Sequence, residues 1–397
     1  MSDNDNGVSR RNVLKGVGAS VATAAAGSGL AAAEPDDSVE VNVGFSSARG
    51  RQVAVQQADE TVRVFNSIDA VTVRLPKRAA TALERNPNIR YVEENGTMEA
   101  FAQTLPWGVD RVDAEVAHAE GETGEGADIA IVDTGIDDDH PDLQANVGAG
   151  ESFVSCGSGG LTGNCTFYGN SNDCNESWSD DNDHGTHCAG IADAVNDAEG
   201  VRGVSTRATL HAVKVLDCAG SGTFSDIAAG VEYVADQGWD VASLSLGGDS
   251  GSQTLKDAVE YATNNGVFVA VAAGNPGPCT DCVKYPAKYE EVVAVSATNQ
   301  SDELAEFSAQ GPEVDIAAPG AEIYSTVPGG YDTYDGTSMA CPHVAGAAGQ
   351  LMANGLSNAE ARDELESTAE DIGLSSNEQG HGLLDAAAAL GFDSSDN

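Results

Sequence analysis

The sequence predicts a large doubly wound α/β domain with a mostly parallel sheet, preceded by a small α+β unit. Three observations carry this. From residue 128 onward short, continuous apolar runs recur, the mark of strands buried on both faces. Gly- and Ala-rich helical stretches separate those runs, so successive strands return to one sheet in parallel. Before residue 102 apolar and polar positions alternate instead, as in strands with one solvated face. With 397 residues and 41% hydrophobic content, the chain has enough apolar material for a sizeable core.

Three segments follow from reading the chain in order: 1–33, 34–101 and 102–397. The first contains Ser9-Arg10-Arg11-Asn12-Val13-Leu14-Lys15, then a Gly/Ala stretch from Gly16 that ends in Ala31-Ala32-Ala33. That is the pattern of a twin-arginine signal with a small-residue cleavage site. Gly and Ala partition too weakly into lipid for a stable anchor. Export, a secreted extracellular product and no membrane contact after signal removal are therefore expected.

In the second segment, residues 36–48 and 61–75 alternate like strands (Val39-Glu40-Val41-Asn42-Val43; Ala70-Val71-Thr72-Val73). The stretch between Pro76 and Pro87 reads as helical, and Ile89-Arg90-Tyr91-Val92-Glu93 as a strand. A unit of about 65 residues lies near the lower limit for independent stability. In the third segment Asp128–Asp133, Thr209–Leu216, Asp240–Leu246, Val267–Ala272, Glu291–Ala297 and Val314–Ala317 read as strands of the parallel sheet.

Charge is distributed unevenly. Of 63 acids and 19 bases, residues 102–397 hold 50 acids and 8 bases, a net −42, whereas residues 1–101 hold 13 and 11. Such a surface argues against nucleic acid and anionic membranes as partners. A folded domain this acidic repels itself unless salt screens it over a few ångströms. The composition is that of an extreme halophile's protein.

Eight cysteines suit an exported chain. Cys279 and Cys282 form a C-x-x-C that no second pair or nearby histidines complete as a zinc site, so a local bridge is expected. Two more bridges are expected among Cys156, Cys165, Cys174 and Cys218. Cys188 and Cys341, inside apolar helical runs, read as buried free thiols.

Chemistry in open parallel sheets gathers at the carboxyl ends of strands, and four motifs lie at such places. Ile129-Ala130-Ile131-Val132-Asp133-Thr134-Gly135 ends a strand on a carboxylate, which on its own reads as a turn. A second tripeptide, Asp249-Ser250-Gly251, suggests an aspartic protease, but paired carboxylates of that kind belong to all-β proteins. His184-Gly185-Thr186-His187 opens a helix of small residues, without the glutamate of the zinc-protease pattern. Ala272-Ala273-Gly274-Asn275 ends a strand on an amide. Gly336-Thr337-Ser338-Met339-Ala340-Cys341-Pro342-His343 places a serine at the start of a core helix, where the dipole favours negative charge. Pro342 is expected within the first turn of that helix.

In the order Asp, His, Asn, Ser these motifs are highly specific, and residues 102–390 resemble the subtilisin family of serine proteases, with the acidic composition of a haloarchaeal, halolysin-like relative. The resemblance implies a subtilisin-like catalytic domain behind a ferredoxin-like propeptide that chaperones and then inhibits it. It implies Ser338 as nucleophile, His184 as general base and acid, and Asp133 as the group that orients the imidazole. Asn275 and the Ser338 N–H would bind the oxyanion; in this family such a donor is worth roughly 3–4 kcal/mol.

Other roles carry over similarly. Ser245-Leu246-Gly247 matches the strand that pairs with extended substrate, and with Ala273 and Gly274 would wall the S1 pocket. Phe224 and Ile227 fall at the apolar S4 pocket. Lys284 departs from the small residue common deep in S1; it would favour acidic P1 groups or carry its charge outward. The stretch around Phe101 and Ala102 resembles the self-cleaved maturation junction, so a large apolar P1 and broad specificity are expected.

A structural calcium (Ca2+) site is implied by the side chains of Gln103, Asp142 and Asp197 with the carbonyls of Val195, Glu199 and Val201. The loop Gly148–Asp183, longer than in simple relatives, is expected to brace the region before His184, rather than to bind another cation through Asp180, Asp181 and Asp183 or only to add acidic surface. No C-terminal binding domain is expected after Gly382-Leu383-Leu384-Asp385. The implied partners are protein and peptide substrates and the chain's own propeptide, with a monomer as the expected state.

Overall fold

The computed structural model describes residues 38–95, 103–157 and 174–394. They belong to two compact units, divided after Ala100.

The first unit runs β1 (Ser38–Phe45), α1 (Ala48–Gln57), β2 (Glu60–Val64), β3 (Ala70–Pro76), α2 (Lys77–Leu83) and β4 (Ile89–Glu94). Its strands form an antiparallel sheet in the order β2-β3-β1-β4, the split βαβ arrangement. Val41, Val43, Val71, Val73 and Leu75 bury one face against Ala54, Ala80 and Leu83 of the helices. The stretch 61–75 holds two strands, at the two alternating runs Val62–Phe65 and Ala70–Val73, joined by a turn that exposes Ile68. Helix α1 is an addition to the elements expected from the sequence. Ser47 starts the helix by accepting the Gly50 N–H at 3.3 Å.

The second unit contains α3 (Trp107–Arg111), α4 (Ala114–Glu120), β5 (Asp128–Asp133), β6 (Glu151–Ser152), α5 (His184–Asp193), β7 (Thr209–Lys214), α6 (Phe224–Gln237), β8 (Val241–Leu244), α7 (Gln253–Asn264), β9 (Phe268–Ala272), β10 (Val293–Thr298) and β11 (Ile316–Pro319). An antiparallel pair follows, β12 (Ile323–Val327) and β13 (Gly330–Tyr334). Helices α8 (Thr337–Ala353), α9 (Asn358–Thr368), α10 (Ser376–Gln379) and α11 (Ala386–Ala389) complete it.

Among the described residues, seven strands form one parallel sheet in the order β11-β10-β9-β8-β5-β7-β6. All six expected strands are present: Asp128–Asp133 matches at both ends, and the others differ by one or two residues at an end, β10 and β11 running past the expected one. Side chains of β5 show why the sheet is covered twice. Ile129 and Ile131 enter one apolar core, Ala130 and Val132 the other. The first core is closed by α5 and α8, whose small residues permit close approach. A side chain at Gly346 would collide with the Ala192 carbonyl and Val204.

Pro342 is the sixth residue of α8, not in its first turn as expected. It leaves the Ser338 carbonyl without its helical N–H donor. That carbonyl accepts the Ser245 hydroxyl at 2.7 Å and the Cys188 thiol at 3.4 Å instead. Among the described residues no helix is long and apolar enough to cross a membrane.

Candidate active site

Four elements bring the expected residues to the carboxyl edge of the sheet. Asp133 is the last residue of β5, and Asn275 follows the end of β9 by three. His184 is the first residue of α5 and Ser338 the second of α8. The turn after Asp133 needs a glycine. Gly135 has φ 115° and packs against the Trp178 carbonyl, where a side chain would not fit.

His184 Nδ1 lies 2.8 Å from Asp133 Oδ1. Asp133 is fully buried while the imidazole remains 28% exposed, open to the groove. With Nδ1–H donating to the carboxylate, Nε2 is the ring's free acceptor. Burial disfavours a charged imidazole, but the charge and hydrogen bond of Asp133 outweigh it, with help from Asp180. His184 therefore titrates above the ordinary histidine range. Asp180 holds both flanks of the pair. It accepts the Thr134 hydroxyl at 2.8 Å and the Thr186 hydroxyl at 2.6 Å.

Asn275 is fixed by Thr337. Its Oδ1 accepts the Thr337 N–H at 2.9 Å and the Thr337 hydroxyl at 2.8 Å, which leaves Nδ2 as the free donor. The Ser338 N–H lies in the first turn of α8, where no helical carbonyl reaches it. The Ser338 hydroxyl donates to the Ser245 carbonyl at 3.2 Å.

Two adjoining cavities share Ser245, Leu246 and Gly247. A groove of about 660 Å³ runs past His184 to Leu216, Phe224 and Ile227. A pocket of about 340 Å³ is lined by Ala272, Gly274, Asn275, Lys284 and Ser338. Ala273 departs from expectation. It is completely buried in the second core and lines neither cavity, because alternate residues of an extended segment face opposite sides. The Lys284 stem lies against Gly247 and Gly274, and its ammonium pairs with the exposed Asp249 carboxylate. The charge is thus carried outward.

The segments matched to a calcium site converge. The Gln103 side-chain amide donates to the carbonyls of Val195 at 2.7 Å and Val201 at 3.2 Å. The Asp142 carboxylate accepts the Val201 N–H at 2.7 Å and is disfavoured as an anion by burial and by nearby Asp197. Glu199 lends its N–H to Asp197 at 2.8 Å. Two carbonyls and clustered, poorly compensated carboxylates are a donor set that suits a hard cation. Gln103 would join them with its oxygen once the amide turned over.

Phe101 and Ala102, like Cys165 and residues 1–37, lie outside the described residues. Cys156–Cys174 and Cys279–Cys282 are bridged, Cys218 is also disulfide-bonded, and Cys188 and Cys341 are buried thiols. Sequence reasoning gives Asp180 no role beside the His184–Asp133 pair and does not single out Thr337 or the Ser245 hydroxyl. Their partners are the Thr134 and Thr186 hydroxyls, the Asn275 amide oxygen and the Ser338 carbonyl, pairings that leave no trace in composition.

A parallel sheet that offers a serine, a carboxylate-bound imidazole and an unpaired amide donor at one edge defines a serine peptidase. The comparisons agree. The family described as "Subtilase family" matches residues 124–382. Subtilisin E of Bacillus subtilis is 41% identical over 350 residues, covering 87% of each chain. An alkaline protease of Alkalihalobacillus alcalophilus is 42% identical over 346 residues, covering 85% of each. A subtilisin of Bacillus pumilus is 44% identical over 293 residues, 72% of this chain and 99% of its own. The chain belongs to the subtilase family of serine peptidases.

Proposed function

We propose that the protein is an exported, salt-adapted serine endopeptidase, made as a self-cleaving zymogen, with Ser338, His184, Asp133 and Asn275 as its catalytic groups. The hydrogen bond between His184 and Asp133 carries this reading, since it leaves Nε2 as an acceptor facing the groove. The Ser338 hydroxyl leaves the Ser245 carbonyl and passes its proton to Nε2 as Oγ attacks the scissile carbonyl carbon. Asn275 Nδ2 and the Ser338 N–H receive the oxyanion. The imidazolium then protonates the leaving amine as the C–N bond breaks. Water, deprotonated by the same imidazole, cleaves the acyl-enzyme and restores the serine.

Substrate would lie extended along Ser245–Gly247. A large apolar P1 side chain would enter the 340 Å³ pocket and rest on the Lys284 stem, while P4 would meet Phe224 and Ile227. Calcium, if bound, would be held by Gln103, Asp142, Asp197 and the carbonyls of Val195, Glu199 and Val201, tying the start of the mature chain to its body. Residues 34–101 would act as propeptide, cut after Phe101, following removal of a twin-arginine signal over residues 1–33. The −42 charge of residues 102–397 supports a working environment of high salt.

The test is hydrolysis of a peptide anilide with Phe at P1, in high salt with calcium, by the native protein and by Ser338→Ala. Turnover and self-cleavage after Phe101, both absent in the variant, are expected. No turnover of any peptide by folded, propeptide-free protein would overturn the reading.

A further inference from the structure

Lys214 is the largest fully buried side chain among the described residues, and its charge plays no part in the mechanism above. It ends β7 and is the register partner of Asp133. Its three ammonium protons have three acceptors: the Thr134 carbonyl at 2.5 Å, Asp181 Oδ1 at 2.6 Å and the Leu216 carbonyl at 3.0 Å. Each belongs to a different part of the site. Thr134 follows Asp133, Leu216 lines the substrate groove, and Asp181 stands three residues before His184.

The second oxygen of Asp181 accepts the Gly157 N–H at 2.6 Å. The sulfurs of the Cys156–Cys174 bridge lie within 4.8 Å of a carboxylate oxygen of Asp181 and of each other. The disulfide thus lies beside the Asp181 carboxylate. Withdrawing two ions from water costs several kcal/mol each, and an apolar pair of similar volume is often as stable or more so. Stability is therefore a poor reason for a buried Lys–Asp pair here. Its distinctive product is direction: a fixed ammonium with no spare donor holds three acceptors at set distances.

We infer that Lys214, paired with Asp181, is a positioning residue for the Asp133–His184 couple. It fixes the backbone just after Asp133 and the segment leading into His184, so that Nδ1 and Oδ1 meet at 2.8 Å before substrate arrives. The inference rests on the peptidase reading. The charged and titratable groups around His184 are Asp133, Asp180, His187 and the Cys188 thiol, whose sulfur lies within 4.8 Å of the couple. Asp180 already ties Thr134 to Thr186, and the Lys214–Asp181 pair ties Thr134 from the opposite side.

The test is the double variant Lys214→Met/Asp181→Leu, which removes both ions together and leaves no unpaired buried charge. The net charge near His184 is unchanged, so a shift in its titration reports geometry. With the Phe-P1 anilide, kcat is expected to fall at least tenfold with KM within twofold. The acid limb of kcat/KM should move down toward the ordinary histidine range as the Asp133 bond loosens. A purely structural pair would change the melting temperature and leave that limb in place. A folded double variant with kcat within twofold and an unmoved limb overturns the inference. Should the double variant not fold, Lys214→Gln/Asp181→Asn is neutral and close in volume but offers two N–H donors for the three acceptors, and the same fall in kcat at constant KM is expected; unchanged kcat there overturns it equally. Labelling of Ser338 by a fluorophosphonate separates the two readings. A native protein neither labelled nor active refutes the peptidase reading, whereas a labelled, active native protein with unaffected variants refutes only the role of Lys214.

Discussion

Pro342 frees the carbonyl of Ser338, and the hydroxyl of Ser245 takes it at 2.7 Å. The residue proposed as nucleophile is thus held through its own backbone by the strand end that would also receive substrate. Ser245→Ala leaves that carbonyl with the weaker thiol donor Cys188 alone. An under-satisfied buried carbonyl costs about 1–3 kcal/mol. A lower melting temperature and a several-fold smaller kcat are expected, read by thermal unfolding and steady-state kinetics.

The His184 imidazole must be neutral to accept the serine proton. Because Asp133 and Asp180 raise its pKa, the acid limb of kcat/KM is expected above the ordinary value near 6.5. Asp180→Asn removes one raising charge and should move that limb to lower pH. The linkage to stability has a definite sign. A raised histidine stabilises the folded state fully below its unfolded pKa, and that contribution is lost as pH rises through the folded one. A pH–rate profile of the two proteins checks the shift.

Asn275 points its free donor into the pocket only because Thr337 occupies its oxygen. Asn275→Ala should lower kcat by 10²–10³-fold, about 3–4 kcal/mol, with little change in KM. Thr337→Val should give part of the same loss by freeing the amide to turn. Kinetics of both variants on one anilide measure the ratio.

Lys284 presents its stem to the pocket and its charge to Asp249. Asp249→Asn releases the ammonium. Two opposite charges about 4 Å apart attract by roughly 4 kcal/mol at an effective dielectric of 20, before desolvation is subtracted. Cleavage after Glu relative to Phe should therefore rise about tenfold. A P1 series on the variant decides it, and no rise would mean that the ammonium does not reach P1.

Removing calcium should destabilise the catalytic unit. A site filled at one hundred times its Kd contributes about 2.7 kcal/mol. Thermal unfolding with and without a chelator should differ accordingly in the native protein, and much less in Asp142→Asn.

How much of this was legible in the sequence varies residue by residue. Asp133, His184, Asn275 and Ser338 each stand out only weakly as strand ends and helix starts, and it is the order of their motifs, resembling the subtilisin family, that joins them into one site. The six expected sheet strands were legible because burial on both faces leaves unbroken Val, Ile and Ala. Helix α1 was not, since its weak apolar stripe mimics alternation. The β12–β13 pair was missed because β12 buries the polar Ser325 and Thr326 beside Ile323, and β13, written in Tyr, Asp and Thr, buries no residue fully. Lys284 could be placed in the pocket, but the direction of its charge depended on where Asp249 stands. Lys214 gave no warning beyond a basic residue in an apolar run, because its partner Asp181 lies 33 positions away, on the far side of helix α5 in the chain.

The tight seating of α5 on α8 divides the molecule into parts that can be edited and parts that cannot. Gly346 leaves no room for even a methyl group against α5. Variation there must displace His184 relative to Ser338, so it falls on every substrate alike. Lys284, Phe224 and Ile227 line the cavities, and Asp249 stands exposed beside Lys284; under the proposed function a change there would alter what is cut without touching how. An engineer seeking a new cleavage preference would begin with those places and leave the helix pair alone.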